Sequence, residues 1–280
     1  IINAELLKVS QWLQVNYLSL NVSKTFYQIY NNRKTDVSMT IEINNIAIES
    51  KDTIKYLGML LNSNMKFASH LNAITSTISR NLGMMCRARP FVEDRQLLCL
   101  YNAIILPYFN YCCLIWGTGY FSHIRKLTTL QKRAMRIIGY IYPPQSANPV
   151  FKKYNILKVQ DIAKMQIILV MHKYVCNTIP TSVKTLFNLS AVNTHGTRRR
   201  DHFQRIFSTK NYRLCTIACL GPKLWNSIIS PNYNLHDVPR SKEIIKKMIK
   251  NHFISQYRDN MFKFVFTLMC IVILSTQTFV

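Results

Sequence analysis

"IRKLTTLQKRAMRII", residues 124–138, decides the fold. At about 100° per residue, Ile124, Leu127, Leu130, Ala134, Ile137 and Ile138 fall on one face of a helix. Arg125, Lys126, Lys132, Arg133 and Arg136 fall on another. A stripe of that period has to be buried against other elements, so the segment predicts a packed helix and not a strand. Its polar face carries five cations and no acid. That face reads either as a rail for phosphates or as an ordinary solvated surface.

The neighbouring segments extend the helical pattern. Residues 67–88 predict one helix. Glu93 and Asp94 open the next, where acids complement the helix dipole, and Pro107 kinks or splits it. "YPPQSANPVF" (142–151) reads as a linker with a helix starting near Pro149. Residues 159–176 predict a helix with Met165, Ile168, Leu169, His172 and Cys176 on related faces. Residues 178–203 have little periodicity and carry Arg198, Arg199 and Arg200. "CLGPKLWNSI" (219–228) reads as Gly-Pro ahead of a helical turn with Trp225, and residues 241–257 as a last, basic amphipathic helix.

Upstream the pattern changes. Residues 2–18 predict a helix striped by Ile2, Leu6, Val9, Leu13 and Tyr17. Residues 25–30 read as a strand and 31–36 as a turn. Residues 39–50 alternate around a central Asn-Asn pair, as a strand or a tight hairpin. Residues 53–61 read as one more strand, with Gly58 at a close approach. The expected class is therefore α+β, mainly α, with a small antiparallel sheet near the start.

Composition narrows the function. Across 280 residues, 36 Lys and Arg against 12 Asp and Glu give a net charge of +24. Residues 1–66 hold seven basic and five acidic residues, whereas 141–260 hold nineteen and five. Such a field calls for an anionic partner, nucleic acid first and an acidic membrane surface second. No P-loop, GxSxG, HExxH or dinucleotide fingerprint occurs, so no small-molecule substrate is expected. Two-metal catalysis needs converging carboxylates, and the one adjacent pair, Glu93-Asp94, reads as a helix cap. Cys215 and Cys219 with His202 or His236 make a conceivable zinc set, but two core cysteines on one helix is the stronger reading. No metal site is expected. Eight cysteines without a CxxC pair, and no leader-like start, point to reduced thiols in the nucleus or cytoplasm. Residues 264–280 are uncharged and reach the short edge of a membrane span, so a tether through this tail is a further expectation.

Five stretches in order carry a family resemblance: "NAELLKVSQWLQVNYLSLNVSKT", "IKYLGMLL", "LYNAIILPYFNYCCLIWG", "LQKRAMRIIG" and "LGPKLWNSI". Together they resemble the C-terminal part of the reverse transcriptase of non-LTR (LINE-type, jockey-like) retrotransposons, over about residues 1–257. The resemblance implies a palm remnant at 1–66, a helical thumb at 67–141, a basic helical C-terminal region at 142–260 and a hydrophobic tail at 261–280. It places Lys24 of "NVSKT" near the phosphates of an incoming nucleotide. It makes Tyr56, Leu57 and Gly58 a primer grip. The family's paired catalytic aspartates, which hold Mg²⁺ in the complete enzyme, have no counterpart in these 280 residues. The expectation is thus a truncated RNA-directed DNA polymerase, inactive as this chain, that still binds RNA, DNA or hybrid template–primer duplex. The alternative is a basic nucleic-acid-binding protein with no polymerase role, tethered or not by its tail.

Overall fold

The computed structural model describes residues 1–30, 39–119, 121–189, 202–209 and 211–257. The expected turn at 31–36 and the tail at 261–280 lie outside them. The chain divides into two compact units, Ile1–Ala73 and Ile74–Val280.

The first unit opens with α1 (Ile2–Val15), followed by a 3₁₀ turn at Val22–Lys24. Three short two-stranded ladders follow. β1 (Phe26–Tyr27) pairs in parallel with β4 (Glu49–Ser50). β2 (Glu42–Ile43) pairs antiparallel with β3 (Ile46–Ala47). β5 (Thr53–Tyr56) pairs antiparallel with β6 (Met59–Asn62). The expected single sheet is thus three ladders, one of them parallel. The strand expected over 25–30 shrinks to two paired residues.

The Asn-Asn pair does make a hairpin. Asn44 and Asn45 both have positive φ, 52° and 61°, the conformation a two-residue turn needs and one that asparagine tolerates. Ile41, Ile43 and Ile48 form the small core of this unit, with Leu6 and Tyr27 packed on it. α1 is held to the hairpin by polar contacts as much as by apolar ones. The Ser10 hydroxyl donates to Asn44 Oδ1 at 2.8 Å, and Asn3 exchanges bonds with Thr40 and Glu42 at 3.3 Å. The inward line on α1 is therefore Leu6–Ser10–Leu13, with Ser10 buried and the two leucines half-buried, while Ile2 and Val9 of the expected stripe are exposed. Tyr17 lies beyond the helix end, with φ 56°.

The 53–61 segment departs from its reading. It is a hairpin, β5–β6, and Leu57 and Gly58 form its turn with φ 46° and 80°. Gly58 therefore supplies the left-handed backbone this turn needs. Leucine is a poor residue for this conformation, at a cost of about 1–2 kcal/mol, which is why the sequence gives no turn signal here. Gln28 Nε2 ties the hairpin down through the carbonyls of Asp52 (2.6 Å) and Leu61 (3.1 Å).

α2 (Ala68–Ala88) begins in the first unit, and its second-unit part buries Ile74, Ile78, Leu82 and Met85 on one face. Glu93 and Gln96 form a reciprocal capping box at the start of α3 (Asp94–Ile104), the capping role expected for the acidic pair. α3 stops one residue before α4 (Leu106–Asn110), which holds Pro107 in its first turn, so proline splits the helix as expected. α5 (Cys113–Trp116), α6 (Phe121–Ile138), α7 (Asn148–Lys153) and α8 (Val159–Val175) follow. α9 (Thr181–Lys184), α10 (Asn211–Leu214), α11 (Ile217–Ile228) and α12 (Lys242–Ser255) complete the described elements.

α8 is the centre of this unit. It packs against α4, α5, α6, α11 and α12 and is buried on most of its circumference. Tyr257, just past α12, clamps the start of α8. Its hydroxyl donates to Asp161 Oδ2 at 2.8 Å and accepts from the Lys158 backbone N–H at 2.9 Å, and the Lys158 ammonium lies 4.0 Å from its ring centroid.

α11 corrects the reading of "CLGPKLWNSI". The helix starts at Ile217, so Gly221 and Pro222 lie inside it. Gly221 lets α11 approach α8 closely: a Cβ there would stand 2.7 Å from Met171 Sδ, and the methionine would have to shift. Cys219 is buried on α11, but Cys215 is exposed and precedes the helix, so the two are not a pair of core cysteines. All seven described cysteines are unbridged.

α3 and α7 are joined at Asp94, whose Oδ2 accepts from Lys153 Nζ at 2.9 Å and from the Tyr154 hydroxyl. The Tyr154 bond first, then Lys153, lowers the Asp94 pKa from 3.8 to about 2. A depressed carboxyl contributes stability above its unfolded pKa and loses it as pH falls through the folded one. Asp94→Asn therefore lowers the urea midpoint by a constant amount above about pH 5, and the gap from wild type closes between about pH 4 and pH 2. A gap that stays constant through this window would disprove the clamp.

Candidate nucleic-acid interface

The residues singled out in the sequence fall into separate sets. In the first unit Lys24 ends the 3₁₀ turn. That turn is closed by Thr25 N–H to the Val22 carbonyl (3.0 Å) and pinned by Ser23 Oγ to Asn21 Oδ1 (2.6 Å). Its side chain is exposed and has no hydrogen-bond or ion-pair partner among the described residues. Tyr56, Leu57 and Gly58 stand together at the tip of β5–β6. The Tyr56 side chain is 63% exposed and that of Leu57 73%. The pair forms an apolar, aromatic knuckle on the turn, whereas the equally exposed β2–β3 tip is built from Asn44 and Asn45.

The second set is on α6. Ile124, Leu127, Ala134, Ile137 and Ile138 are buried and Leu130 is half-buried, as the wheel requires. Arg125, Lys126, Lys132 and Arg133 are exposed. Arg136 is used internally, with Nε and Nη2 both 3.3 Å from the Gln145 carbonyl oxygen, which fastens the following loop to the helix. Arg125 and Lys132 lie about 20° apart around the helix axis and Lys126 and Arg133 also about 20° apart, so the four make two parallel columns. From Arg125 to Arg133 they span about 12 Å of axis, or roughly three to four phosphates of one strand.

Lys158 was not singled out in the sequence and extends the charged face. Burial lowers its pKa, the Asp161 carboxylate raises it, and the nearby Lys132 ammonium lowers it further. Its position before α8 carries no periodic signal; only the fold brings it beside α6. Arg198, Arg199 and Arg200 lie outside the described residues.

Three of the described carboxylates are engaged by other groups. Glu93 caps α3, Asp94 is bound to Lys153 and Tyr154, and Asp161 is bound to Tyr257 and Lys164. Among the described residues no three His, Cys, Asp or Glu are grouped to hold an ion. His202 Nδ1 instead accepts from Trp225 Nε1 at 3.0 Å. Also among the described residues, no helix is long and apolar enough to cross a membrane.

Among the described residues the surface thus carries an aromatic hairpin tip at 56–58 and an acid-free cationic helix at 121–138. Two known proteins are similar to part of the chain. One RNA-directed DNA polymerase from Drosophila melanogaster, of transposon X-element, is 25% identical over 135 residues, 47% of this chain. Another, of transposon BS, is 26% identical over 134 residues, 46% of the chain. Over somewhat less than half of its length the chain is thus similar to RNA-directed DNA polymerases of transposons. The matches span 15% of the length of each of these polymerases. No family model and no solved structure matches the chain.

Proposed function

We propose that this chain is the thumb-bearing C-terminal part of a transposon reverse transcriptase, and that α6 lies along the backbone of an RNA/DNA template–primer duplex. The observation that carries the reading is the α6 face: four exposed cations in two columns, no acid on the helix, and an opposite face fixed in the core. Phosphate contacts of this kind release counterions and make affinity fall steeply with salt. Lys24 and the Tyr56–Gly58 tip belong to the polymerase half of the same machine. These 280 residues contain no strand–turn with paired aspartates, so they transfer no nucleotide by themselves.

Binding of a fluorescent hybrid duplex, titrated with salt, tests the first part. Replacing Arg125, Lys126, Lys132 and Arg133 by glutamine lowers the slope of log affinity against log salt by about 3–4, at roughly 0.9 per phosphate contact. An unchanged slope would overturn the assignment of α6. Primer extension with Mg²⁺ or Mn²⁺ yields no incorporation; template-dependent extension would refute the silence of this chain.

A further inference from the structure

A second basic feature of the helical unit lies away from the α6 face in sequence. A cleft of about 850 Å³ opens between residues 205–209 and the start of α11, lined among others by Arg205, Phe207, Thr209, Arg213, Leu220 and Lys223. Its volume is in the range of ligand clefts, about 300–1,000 Å³. Three of these residues are cationic, and no carboxylate lines the cleft. Phe207 is 89% exposed at the edge of this cleft, beside the cations and the apolar side chains of Ile206 and Leu220.

The wall that carries Phe207 is anchored four residues earlier. Asn226 on α11 grips the Phe203 backbone from both sides: its Nδ2 donates to the Phe203 carbonyl at 2.7 Å, and its Oδ1 accepts the Phe203 N–H at 3.2 Å. Phe203 also pairs with Leu189 in a β-bridge, and Gln204 N–H donates to the Asn188 carbonyl at 2.9 Å. The Phe203 ring packs edge-on against Trp225, Tyr174 and Phe187. The segment leaving this anchor thus starts from a fixed point in the core.

We propose that this cleft binds a single nucleic-acid strand, with an unpaired base stacked on Phe207 and the flanking phosphates against Arg213 and Lys223. An exposed ring beside a cationic groove is the combination that holds single strands without sequence preference, because every base has a π-face. A duplex keeps its bases stacked inside and offers only its backbone, so it cannot place a base on Phe207. An acidic peptide would satisfy the cations but leave the ring uncovered. The inference deepens the nucleic-acid reading above by adding a strand site to the duplex face.

The test compares an oligo(dT) of about 12 nucleotides with a hybrid duplex, both fluorescently labelled, on the full chain at about 50 mM salt. Phe207→Ala weakens oligo(dT) binding about 5- to 150-fold, the value of one stacked base, and leaves duplex binding unchanged. Phe207→Trp retains or strengthens it. The α6 glutamine variant shows the converse pattern, so either assignment can fail while the other stands. The proposal is overturned if Phe207→Ala binds oligo(dT) like wild type, if both probes weaken equally, or if the variant loses only vesicles of acidic phospholipid. Phe207 is nearly fully exposed, so its replacement does not disturb folding.

Discussion

Gln131→Leu destabilises the helical unit by about 3–5 kcal/mol, because three buried polar groups lose their partner at once. The Gln131 amide lies at the junction of α3, α6 and α8. Its Nε2 donates to the Tyr101 hydroxyl at 3.0 Å and to the Leu157 carbonyl at 2.9 Å, and its Oε1 accepts the Val159 N–H at 2.8 Å. Gln131 and Tyr101 are fully buried, so water does not replace the lost bonds. Burial also raises the Tyr101 pKa, and only the Gln131 bond offsets it. With a urea slope of about 2–3 kcal/mol per molar, the loss appears as a midpoint shift of about 1–2 M. Tyr101→Phe is the comparison. It removes one of the three bonds, leaves the other two intact, and costs about 1 kcal/mol. A Gln131→Leu protein within about 0.5 kcal/mol of wild type would show that the amide does not hold the three helices.

Trp225→Ala has an effect of similar size, about 3–5 kcal/mol, by a different route. Trp225 is fully buried and closes the aromatic cluster of Tyr174, Phe187 and Phe203. Its removal leaves a cavity that the clamped Phe203 backbone cannot collapse to fill, and leaves His202 Nδ1 without its indole donor. Trp225→Phe separates the two contributions: it keeps most of the volume and costs about 1–1.5 kcal/mol for the hydrogen bond. Tryptophan fluorescence is compromised in these variants, so far-ultraviolet circular dichroism is the readout. Equal destabilisation by alanine and phenylalanine would place the whole effect in the hydrogen bond and refute the cavity argument.

These two residues also show what the sequence disclosed and what it hid. The α6 wheel separates its apolar and cationic faces cleanly, and the structure buries the one and exposes the other. Gln131 lies inside the apolar arc of that wheel, between Ile138 and Ile124. A polar residue there has to find partners in the core, and that was the available signal. The partners themselves are 26 to 30 residues away and could not be named. α8 gave only a blurred pattern because it is apolar nearly all round, and a periodicity search needs contrast. The Asn-Asn hairpin was legible because asparagine adopts positive φ readily. The Leu57-Gly58 hairpin was not, because leucine in that conformation follows no turn rule. In "GPKLWN", proline argued for a helix start. Neither the packing of Gly221 on Met171 nor the grip of Asn226 on Phe203 leaves a trace in local spacing. The cleft beside Phe207 joins the irregular residues 205–209 to the start of α11, a pairing that no local spacing announces.

The central place of α8 has a consequence for how the protein is made. Its partners α4, α5 and α6 leave the ribosome before it, but α11 and α12 come after it, ending at Ser255. Eighty residues separate the end of α8 from the end of α12. At about 5–20 residues per second their synthesis takes roughly 4–16 s. Throughout that interval one side of an apolar helix stands uncovered in the nascent chain, which makes this the stage at which a chaperone has most to protect.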